Sequence, residues 1–409
     1  MRPTGLPHTA PRTAIVIGGS IGGLIVALLL RRAGWLVSIY ERSPVKLAGR
    51  GAGIVTHREL WDCLFAAGID PSMEDGVLVD ERVCLDVEGH EIERMAFPQI
   101  MQSWDRLFGL VREPWGDADY HMGCELVGIT QSDSSVTARF ADGSTATADL
   151  LVGADGFRST VRQLVAPQVQ PIYAGYVCWR GMVEERELSP KAHDALFHLF
   201  GMCLPKGEQM VVYPVTGEGA DTRPGHRRGN FVWYRPVEAE RDLPDLLTDD
   251  NGHTHTLSIP PPLIRAEHIA RLRVDAQRLL APQFVAWVEA TKAPFLQPIY
   301  DFESEQLGFG RVALVGDAAF QARPHIGAGV TKAGQDAIAL ADALARHDGI
   351  GSALSAYEAE RVPAGKRIVR RARYLGASIT AALPREQVLT PDIDHSARAV
   401  LEETATLVF

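Results

Sequence analysis

The clearest hydrophobic pattern lies near the start of the chain. Residues 13–30 carry no charge, and a cluster of glycines with one serine interrupts the run at positions 18–23. By length alone, the run fits a secretion signal or a membrane span. The glycine cluster favours another interpretation: a buried strand at Thr13–Ile17, a tight turn, and a helix over 24–32. The apolar run 35–40 then completes a β–turn–α–β unit.

Alternation of apolar and polar residues predicts a β-hairpin further along. Residues 136–140 alternate in this way, and the dipeptide Asp142-Gly143 is typical of a tight turn. Residues 145–149 resume the extended pattern, and the apolar residues 150–153 follow as a buried strand.

The rest of the chain predicts a second sheet followed by helices. Strand-like composition recurs at 172–183, 209–215, 230–235 and 311–315. Helical periodicity recurs at 279–291, 330–346 and 352–382. The predicted fold class is therefore α/β, with a Rossmann-like domain, a second, mainly β-sheet domain, and C-terminal helices.

Charge and cysteine content narrow the classes of function. The chain has 409 residues and a formal net charge of −10 at pH 7, which disfavours general binding to nucleic acid or to anionic membranes. The five cysteines are odd in number and never form a C-x-x-C pair, so we expect free thiols and a cytoplasmic location. His253 and His255 have no cysteine at ligand spacing, and we expect no metal site.

The glycine cluster has the features of a phosphate-binding turn. Residues 18–23, with the sequence GGSIGG, follow a predicted strand and precede a predicted helix, whose free N–H groups and dipole favour an anion. Ser20 stands where the usual motif has its middle glycine. Glu41 lies 23 residues after Gly18, where an acid accepts ribose hydroxyls. We expect dinucleotide binding here; the alternative is a purely structural turn.

Two later segments repeat the order of strand, acid and glycine. Asp155-Gly156 follows the predicted strand 150–153, although such a dipeptide alone is more often a plain turn. Asp317 follows the strand 311–315, and a glycine-containing loop then leads into a helix. Acids at the carboxyl ends of parallel strands are well placed to meet a ligand.

Together, in this order and spacing, the three motifs resemble those of the class A FAD-dependent aromatic-ring hydroxylases, which have the fold of para-hydroxybenzoate hydroxylase. The resemblance covers residues 12 to about 375. It is strongest to members that hydroxylate pyridines in pyridine catabolism, in the segments 40–44, 51–55, 173–181, 213–214, 233–234 and 323–325. Departures from that subgroup are His57, Cys178 and Phe320.

The resemblance implies a division into domains and a set of FAD contacts. The FAD domain comprises 12–75, 100–165 and 300–370, the substrate domain comprises 76–99 and 166–299, and 371–409 forms C-terminal helices and a tail. The implied FAD-binding residues are Gly18, Ser20, Ile21, Gly23, Glu41, Arg42, Arg106, Asp155, Asp317, Pro324, Gly327, Gly329 and Val330. In the family, the motif of Asp155 is linked to the nicotinamide nucleotide as well.

The activity implied is monooxygenation of a small, electron-rich aromatic or N-heteroaromatic ring. NADH or NADPH reduces FAD, and O₂ then forms a flavin C4a-hydroperoxide that hydroxylates the ring. His325 is the candidate general base that deprotonates the ring hydroxyl; a contact to cofactor or substrate and a structural role are its alternatives. The candidate substrate-binding residues are Tyr176, Trp179, Arg180, Tyr213 and Trp233.

We expect a homodimer that acts on a small aromatic substrate and O₂, with no nucleic acid or membrane partner. Two other hypotheses stay open at this point. One is an FAD-dependent oxidase or dehydrogenase of the same fold, against which the motif of Asp155-Gly156 argues. The other is a non-catalytic dinucleotide-binding module, in which 165–300 would bind a partner instead of a substrate.

Overall fold

The structure, a computed structural model, describes residues 11–47, 53–379 and 396–407. Residues 51 and 52 of the segment 51–55, the predicted helix end at 380–382, and the remainder of the C-terminal tail except 396–407 lie outside the described residues.

The predicted strands are all present, and the structure adds strands and helices that the sequence pattern did not predict. The strands are β1 (Thr13–Ile17), β2 (Leu36–Glu41), β3 (Gly53–Val55), β4 (Val77–Leu85), β5 (Glu91–Ser103), β6 (Tyr120–Met122), β7 (Leu126–Gln131), β8 (Val136–Phe140), β9 (Thr145–Ala148), β10 (Leu150–Gly153), β11 (Ile172–Glu184), β12 (Phe200–Cys203), β13 (Gln209–Val215), β14 (Arg228–Pro236), β15 (Phe295–Asp301), β16 (Gly308–Phe309) and β17 (Val312–Leu314). The α-helices are α1 (Ile21–Arg32), α2 (Arg58–Ala66), α3 (Trp104–Arg112), α4 (Thr160–Val165), α5 (Pro190–Leu196), α6 (Asp242–Leu246), α7 (Ala266–Leu279), α8 (Pro282–Ala290), α9 (Gly329–Arg346), α10 (Ile350–Leu375) and α11 (Ala397–Glu403).

The first sheet is the predicted Rossmann-like sheet. Its six strands have the order β16-β17-β10-β1-β2-β6, and all pairs are parallel except β16 with β17. Strands β1 and β10 are apolar and almost wholly buried because α1 and α9 belong to the same core. Parallel pairing places the carboxyl ends of β1, β10 and β17 side by side at one edge.

The second sheet is larger and mostly antiparallel. Its eight strands have the order β15-β11-β14-β13-β12-β4-β5-β3. In its centre, Trp179 of β11 is opposite Trp233 of β14, and Cys178 is opposite Tyr234. One face packs with α5, α7 and α8 in a separate hydrophobic core, and the other face packs with Ile379, Leu401 and Ala405.

The predicted hairpin and fold class are confirmed, and one helix differs. Strands β8 and β9 pair antiparallel around a turn in which Gly143 has a φ of +86°. The predicted helix 279–291 is α8, which begins only at Pro282 because Leu280 is extended and proline suits the first position of a helix; α7, which ends at Leu279, was not predicted. Strands β3, β4 and β5 contribute to the second sheet, while the proposed domain boundaries stay a prediction.

The uncharged run 13–30 divides between β1, the glycine turn and α1. Within the described residues, no helix is both long enough and apolar enough to cross a membrane.

Candidate active site

The glycine turn between β1 and α1 leaves no space for side chains. Gly18 has a φ of +104°, and a Cβ atom there would lie 2.5 Å from the carbonyl oxygen of Ala154. A Cβ atom on Gly23 would lie 1.9 Å from the carbonyl oxygen of Gly18. The first turn of α1, which is fully described, contains no acidic residue, and the Ser20 side chain makes no capping hydrogen bond. The helix therefore presents its N-terminal N–H groups to an anion.

Glu41, at the end of β2, is buried beside this turn. One carboxylate oxygen accepts a hydrogen bond from the backbone N–H of Gly19 at 2.9 Å, and the other accepts one from Ser43 at 2.9 Å. Each oxygen can accept a second hydrogen bond. Glu41 can therefore hold the glycine turn in place and still bind ribose hydroxyls.

A cavity of about 250 Å³ lies over the glycine turn, and we call it the nucleotide cavity. It is lined by Ile17, Gly18, Ser20, Tyr40, Glu41, Arg42, Leu47, Trp104, Cys124, Glu125, Leu126, Ala154, Asp155, Gly156 and Thr160. It includes five of the expected FAD contacts. Ile21 and Gly23 do not line it: the side chain of Ile21 is buried in the core, and Gly23 packs behind the turn.

Asp155 accepts hydrogen bonds within its own turn and also lines the nucleotide cavity. Its carboxylate accepts hydrogen bonds from the hydroxyl of Ser159 at 2.5 Å and from the backbone N–H of Val161 at 3.0 Å, at the start of α4. Burial raises the pKa of Asp155, and these hydrogen bonds oppose that rise. The dipeptide Asp155-Gly156 is thus a helix-capping turn that also faces a ligand space.

A second cavity of about 440 Å³ lies between the loop after β17 and the inner face of the second sheet, and we call it the ring cavity. The loop contributes Asp317, Pro324, Gly327, Gly329 and Val330, all of which were expected FAD contacts. Trp104 lines both cavities, so the two are adjacent, and we treat them as one elongated site. The glycine cradle at one end and the carboxylates of Glu41 and Asp317 along the site fit a dinucleotide with a ring at the other end.

Two buried polar residues of α9 support the loop, and the sequence analysis missed both. Asp336 accepts a hydrogen bond from the backbone N–H of Gly316 at 2.9 Å and one from Arg361 at 2.7 Å. Lys332 donates to the carbonyl oxygen of Phe320 at 2.6 Å. Its ammonium lies 3.3 Å from the carboxylate of Asp317. The sequence signal that could have identified Lys332 and Asp336 is their spacing of four residues on a helix that otherwise contains mainly small apolar residues.

Arg106 lines neither cavity, and its expected cofactor contact stays a prediction. Its guanidinium forms an ion pair with Asp75, and Trp104, two residues earlier on the same helix, faces the site instead. Arg162, which the sequence analysis did not single out, is buried and links two of the motifs. It donates to the carbonyl oxygens of Phe157 at 2.7 Å and Ala318 at 3.3 Å.

His325 lines the ring cavity, but both of its ring nitrogens have protein partners. Nδ1 is 3.1 Å from the side-chain oxygen of Gln209, so this nitrogen carries the proton and donates. Nε2 then accepts from the hydroxyl of Tyr176 at 2.7 Å. Burial and the charge of Arg323 lower the pKa of His325 to about 3. This geometry favours a neutral, positioning histidine over the general base that we expected.

Only some of the expected substrate residues face the ring cavity. Arg180 and Tyr213 line it. Trp179 and Trp233 point to the opposite face of the sheet, into the core formed with the helices, which corrects their expected role. Successive residues of a strand alternate between faces, so Arg180 and Trp179 cannot share one. The same alternation identifies Tyr234, opposite Cys178, as a cavity residue that the sequence analysis missed.

Among the described residues, Arg180 is the side chain that brings a full positive charge to the sheet side of the ring cavity, while Arg323 lines the loop side. It donates to the side-chain oxygen of Gln297 at 3.3 Å and lies 5.9 Å from the ring centre of Phe295. Its Nε atom is buried without a hydrogen-bond partner, and no carboxylate of the described residues forms an ion pair with it. A partly buried cation without a counter-ion attracts an anionic ligand.

The three departures from the pyridine subgroup lie outside the ring cavity lining. His57 hydrogen-bonds to the carbonyl oxygen of Gly327 at 3.2 Å, behind the loop. Cys178 is fully buried in β11, and Phe320 is fully buried against Gly365 of α10. These three differences therefore concern packing around the site.

Comparisons with known proteins agree with this geometry. A family described as FAD binding domain-like matches residues 173–301, and an FAD binding domain family matches 286–372. The 2,6-dihydroxypyridine 3-monooxygenase of Paenarthrobacter nicotinovorans is 32% identical over 374 residues, which are 91% of this chain and 92% of that protein.

Two solved structures have the same architecture. The structure of 2,6-dihydroxypyridine-3-hydroxylase from Arthrobacter nicotinovorans is similar with a TM-score of 0.85 at 30% identity, covering 94% of this chain and 98% of that one. Klebsiella pneumoniae HpxO, complexed with FAD and uric acid, has a TM-score of 0.74 at 25% identity and covers 92% of this chain and 90% of its own. With a relative of 32% identity along nearly its whole length, and with the glycine motifs gathered around one elongated site, the chain belongs to the FAD-dependent aromatic-ring monooxygenases.

Proposed function

We propose that this enzyme hydroxylates a small N-heteroaromatic ring of the hydroxypyridine type, bound as its anion, with NADH or NADPH as reductant. The observation that carries the proposal is the guanidinium of Arg180, which has no carboxylate partner among the described residues and faces a cavity with aromatic walls. The size of the ring cavity, about 440 Å³, suits a ring of one or two cycles beside the flavin ring. Relatives named for dihydroxypyridine and found with uric acid support this class.

The proposed FAD contacts divide between the two cavities. The turn of Gly18 and Ser20 and the N-terminus of α1 hold the diphosphate, Gly23 lets the turn pack closely against the helix, and Glu41 holds the ribose. Asp317 accepts the hydroxyls of the ribityl chain, and the N-terminus of α9 faces the ring end of the cofactor. FAD, when bound, supplies the transfer of hydride and of oxygen. The protein residues bind and orient the cofactor and the substrate, and they exclude water from the site.

Arg180 has two proposed effects on the substrate. Its charge favours the deprotonated form of a ring hydroxyl, because an opposite charge nearby lowers a pKa. The anion is more electron-rich, so it reacts faster with an electrophilic oxygen. Burial raises the pKa of Tyr213 to about 12 and that of Tyr234 well above its usual value, so both phenols stay neutral beside the anion. No proton-accepting side chain is required once the substrate binds ionised.

His325 is proposed to position the loop beside the flavin ring. Its neutral imidazole connects the loop to Gln209 and Tyr176 of the second sheet. The loop contains Pro324 and Gly327, so this connection fixes the distance between cofactor and substrate. A displacement of about 1 Å in such a site lowers the rate by about a hundredfold.

We also propose that the enzyme is a cytoplasmic homodimer. All five cysteines are free, which supports a reducing compartment. The dimer rests on the family resemblance, and light scattering of the purified protein tests it. A species of twice the chain mass is expected, and a monomer would contradict this part of the proposal.

The first prediction concerns Arg180. Arg180→Met should lower kcat/KM for anionic hydroxypyridines about 10- to 100-fold, because a hydrogen bond to a charged group is worth about 1.5–3 kcal/mol. Arg180→Lys should recover part of the lost kcat/KM. With uncharged methoxypyridines, the native enzyme and Arg180→Met should have similar kcat/KM values. Steady-state rates of product formation, with the added oxygen identified by mass spectrometry, measure this. Equal losses with charged and uncharged rings would rule out the proposed role.

The second prediction concerns the glycine turn. Gly23→Ala should abolish retention of FAD during purification, because the added Cβ would lie 1.9 Å from the carbonyl oxygen of Gly18. Gly351→Ala is the matched control, since it adds a Cβ to a helix at a position with open space around it. The yellow absorbance of bound flavin is measured in both. A Gly23→Ala protein that retains a full complement of FAD would be inconsistent with this binding site.

The third prediction concerns pH. The pKa of His325 is about 3 in the folded protein against an ordinary value of 6.5, so the unfolded chain takes up the proton first as pH falls. Its contribution to stability is complete above about pH 6.5 and is lost between there and about pH 3. The free energy of unfolding should therefore fall less steeply with acid in His325→Asn than in the native protein, measured by denaturant titration at several pH values.

Two comparisons make this prediction specific. His121→Asn, a change at an exposed histidine that forms no ion pair with the described residues, should leave the native slope unchanged. Tyr176→Phe should lower kcat as much as His325→Asn does, because both remove the same bond. An acidic limb of the kcat/KM profile that disappears only in His325→Asn would identify His325 as a general base instead.

A further inference from the structure

The C-terminal segment 397–407, which contains no recognised motif, forms one wall of the ring cavity. Thr404 and Ala405 line the cavity directly after α11. The backbone N–H of Ala405 donates to the carbonyl oxygen of His325 at 2.8 Å. The segment therefore bonds to the same loop that carries the proposed flavin contacts.

Arg82 of β4 attaches this segment to the second sheet. Its side chain is fully buried, and one guanidinium nitrogen donates to the carbonyl oxygens of Leu401 at 2.5 Å and Thr404 at 2.6 Å. The other terminal nitrogen donates to the side chain of Gln99. Two of the three groups that Arg82 binds are thus backbone oxygens more than 300 residues away in the chain.

The surroundings of Arg82 indicate that this attachment is strong. Its guanidinium lies 3.8 Å from the ring centre of Phe97 and 4.8 Å from that of Phe200, which also lines the ring cavity. No carboxylate of the described residues pairs with it, so the carbonyl groups at the end of α11 are its main counter-charge. Removing the guanidinium would leave two buried carbonyl oxygens without this donor.

Two glutamines extend the attachment to the active-site loop. Gln99 donates to the carbonyl oxygen of Ala405 at 3.2 Å, and Gln209 donates to the hydroxyl of Thr404 at 3.4 Å. The oxygen of Gln209 is also the partner of His325. Arg82, the C-terminal segment and the loop therefore form one continuous hydrogen-bonded network.

We propose that Arg82 is a positioning residue for the hydroxylation reaction: it holds residues 397–407 as the wall that closes the ring cavity and keeps water from the reacting ring. The proposal rests on the proposed function for its catalytic consequence. Its structural part, the attachment of the segment by Arg82, is independent of any activity.

Closure matters because the reaction has an unproductive alternative. In the coupled reaction, NAD(P)H, a proton, O₂ and the ring yield NAD(P)⁺, water and the hydroxylated ring. In the uncoupled reaction, NAD(P)H, a proton and O₂ yield NAD(P)⁺ and hydrogen peroxide. Water that enters the cavity favours the second outcome, since excluding water is how an active site prevents such side reactions. A detached wall should therefore change the ratio of the two products.

Hydrogen exchange of the apoprotein tests the attachment without using catalysis. In Arg82→Met, amides of 397–405 should exchange at least tenfold faster than in the native protein, while those of β1 and β10 stay protected. Arg94→Met is the matched control, because Arg94 lies on the neighbouring strand β5 and forms exposed ion pairs with Glu81 and Glu91. Unchanged exchange of 397–405 in a folded Arg82→Met protein would overturn the proposal.

The ratio of hydroxylated product to hydrogen peroxide tests whether release of the segment uncouples the reaction. Arg82→Met should at least halve the hydroxylated product formed per NAD(P)H and raise hydrogen peroxide to match, with the rate of NAD(P)H oxidation changed less than twofold. Arg94→Met should keep the native ratio. Arg82→Lys, which keeps the charge but has no planar fork, should give an intermediate ratio. A segment that exchanges faster in a protein with native coupling would overturn the role in closure.

A second variant covers the case in which Arg82→Met does not fold. Ala405→Pro removes the N–H that bonds to His325, and proline does not adopt the φ of +55° found at this position. It should also release the segment and increase peroxide, although Arg82 is intact. If the native enzyme itself hydroxylates no ring, the proposed function fails, and the exchange experiment still decides whether Arg82 holds the segment.

Discussion

The parallel hydrogen bonding of β17, β10 and β1 is the constraint on which the rest of the site depends. The register pairs Val16 with Val152 and Val152 with Ala313, so the three strands end at the same edge of the sheet. The glycine turn, the turn of Asp155 and the loop of Asp317 are far apart in sequence, and this edge brings them together. Their carboxylates and helix N-termini then face one elongated space, as expected for ligand sites at the carboxyl ends of parallel strands.

The second sheet supplies the other wall, and its strand alternation decides which chemistry reaches the substrate. Arg180, Tyr213 and Tyr234 face inwards, whereas Trp179 and Trp233 stabilise the core with the helices. The inward face thus combines one cation with neutral aromatic groups. Together with a neutral His325, this arrangement suits an anionic ring that needs orientation and a dry environment more than a protein base.

Much of the nucleotide site is predictable from the sequence because its determinants are local. A strand, a glycine turn, a helix and the acid Glu41 follow one another within 30 residues, and the strands that precede Asp155 and Asp317 complete the parallel edge. The ring cavity is less predictable because residues from distant strands meet there. Because neighbouring residues of a strand point to opposite faces of the sheet, the sequence alone shows that Trp179 and Arg180 cannot both line the cavity.

Two other features of the site could not be predicted locally. Arg106 matched a family position, but its ion pair with Asp75 is a tertiary contact with no sequence signal. Arg82 is a similar case. A single arginine in a strand is usually a surface residue, and only the fold shows that Arg82 donates to the carbonyl oxygens of Leu401 and Thr404, more than 300 residues later in the chain. The role of the C-terminal segment follows from that contact, since nothing in its composition indicates a place beside the active site.

The most direct test of the central claim is a reaction under isotopically labelled O₂ with a hydroxypyridine anion and NAD(P)H, followed by mass spectrometry of the ring product. The account predicts one labelled oxygen atom in the ring for each coupled turnover, and none when NAD(P)H is omitted. Oxidation of NAD(P)H with no labelled ring product from any anionic N-heteroaromatic substrate would contradict it.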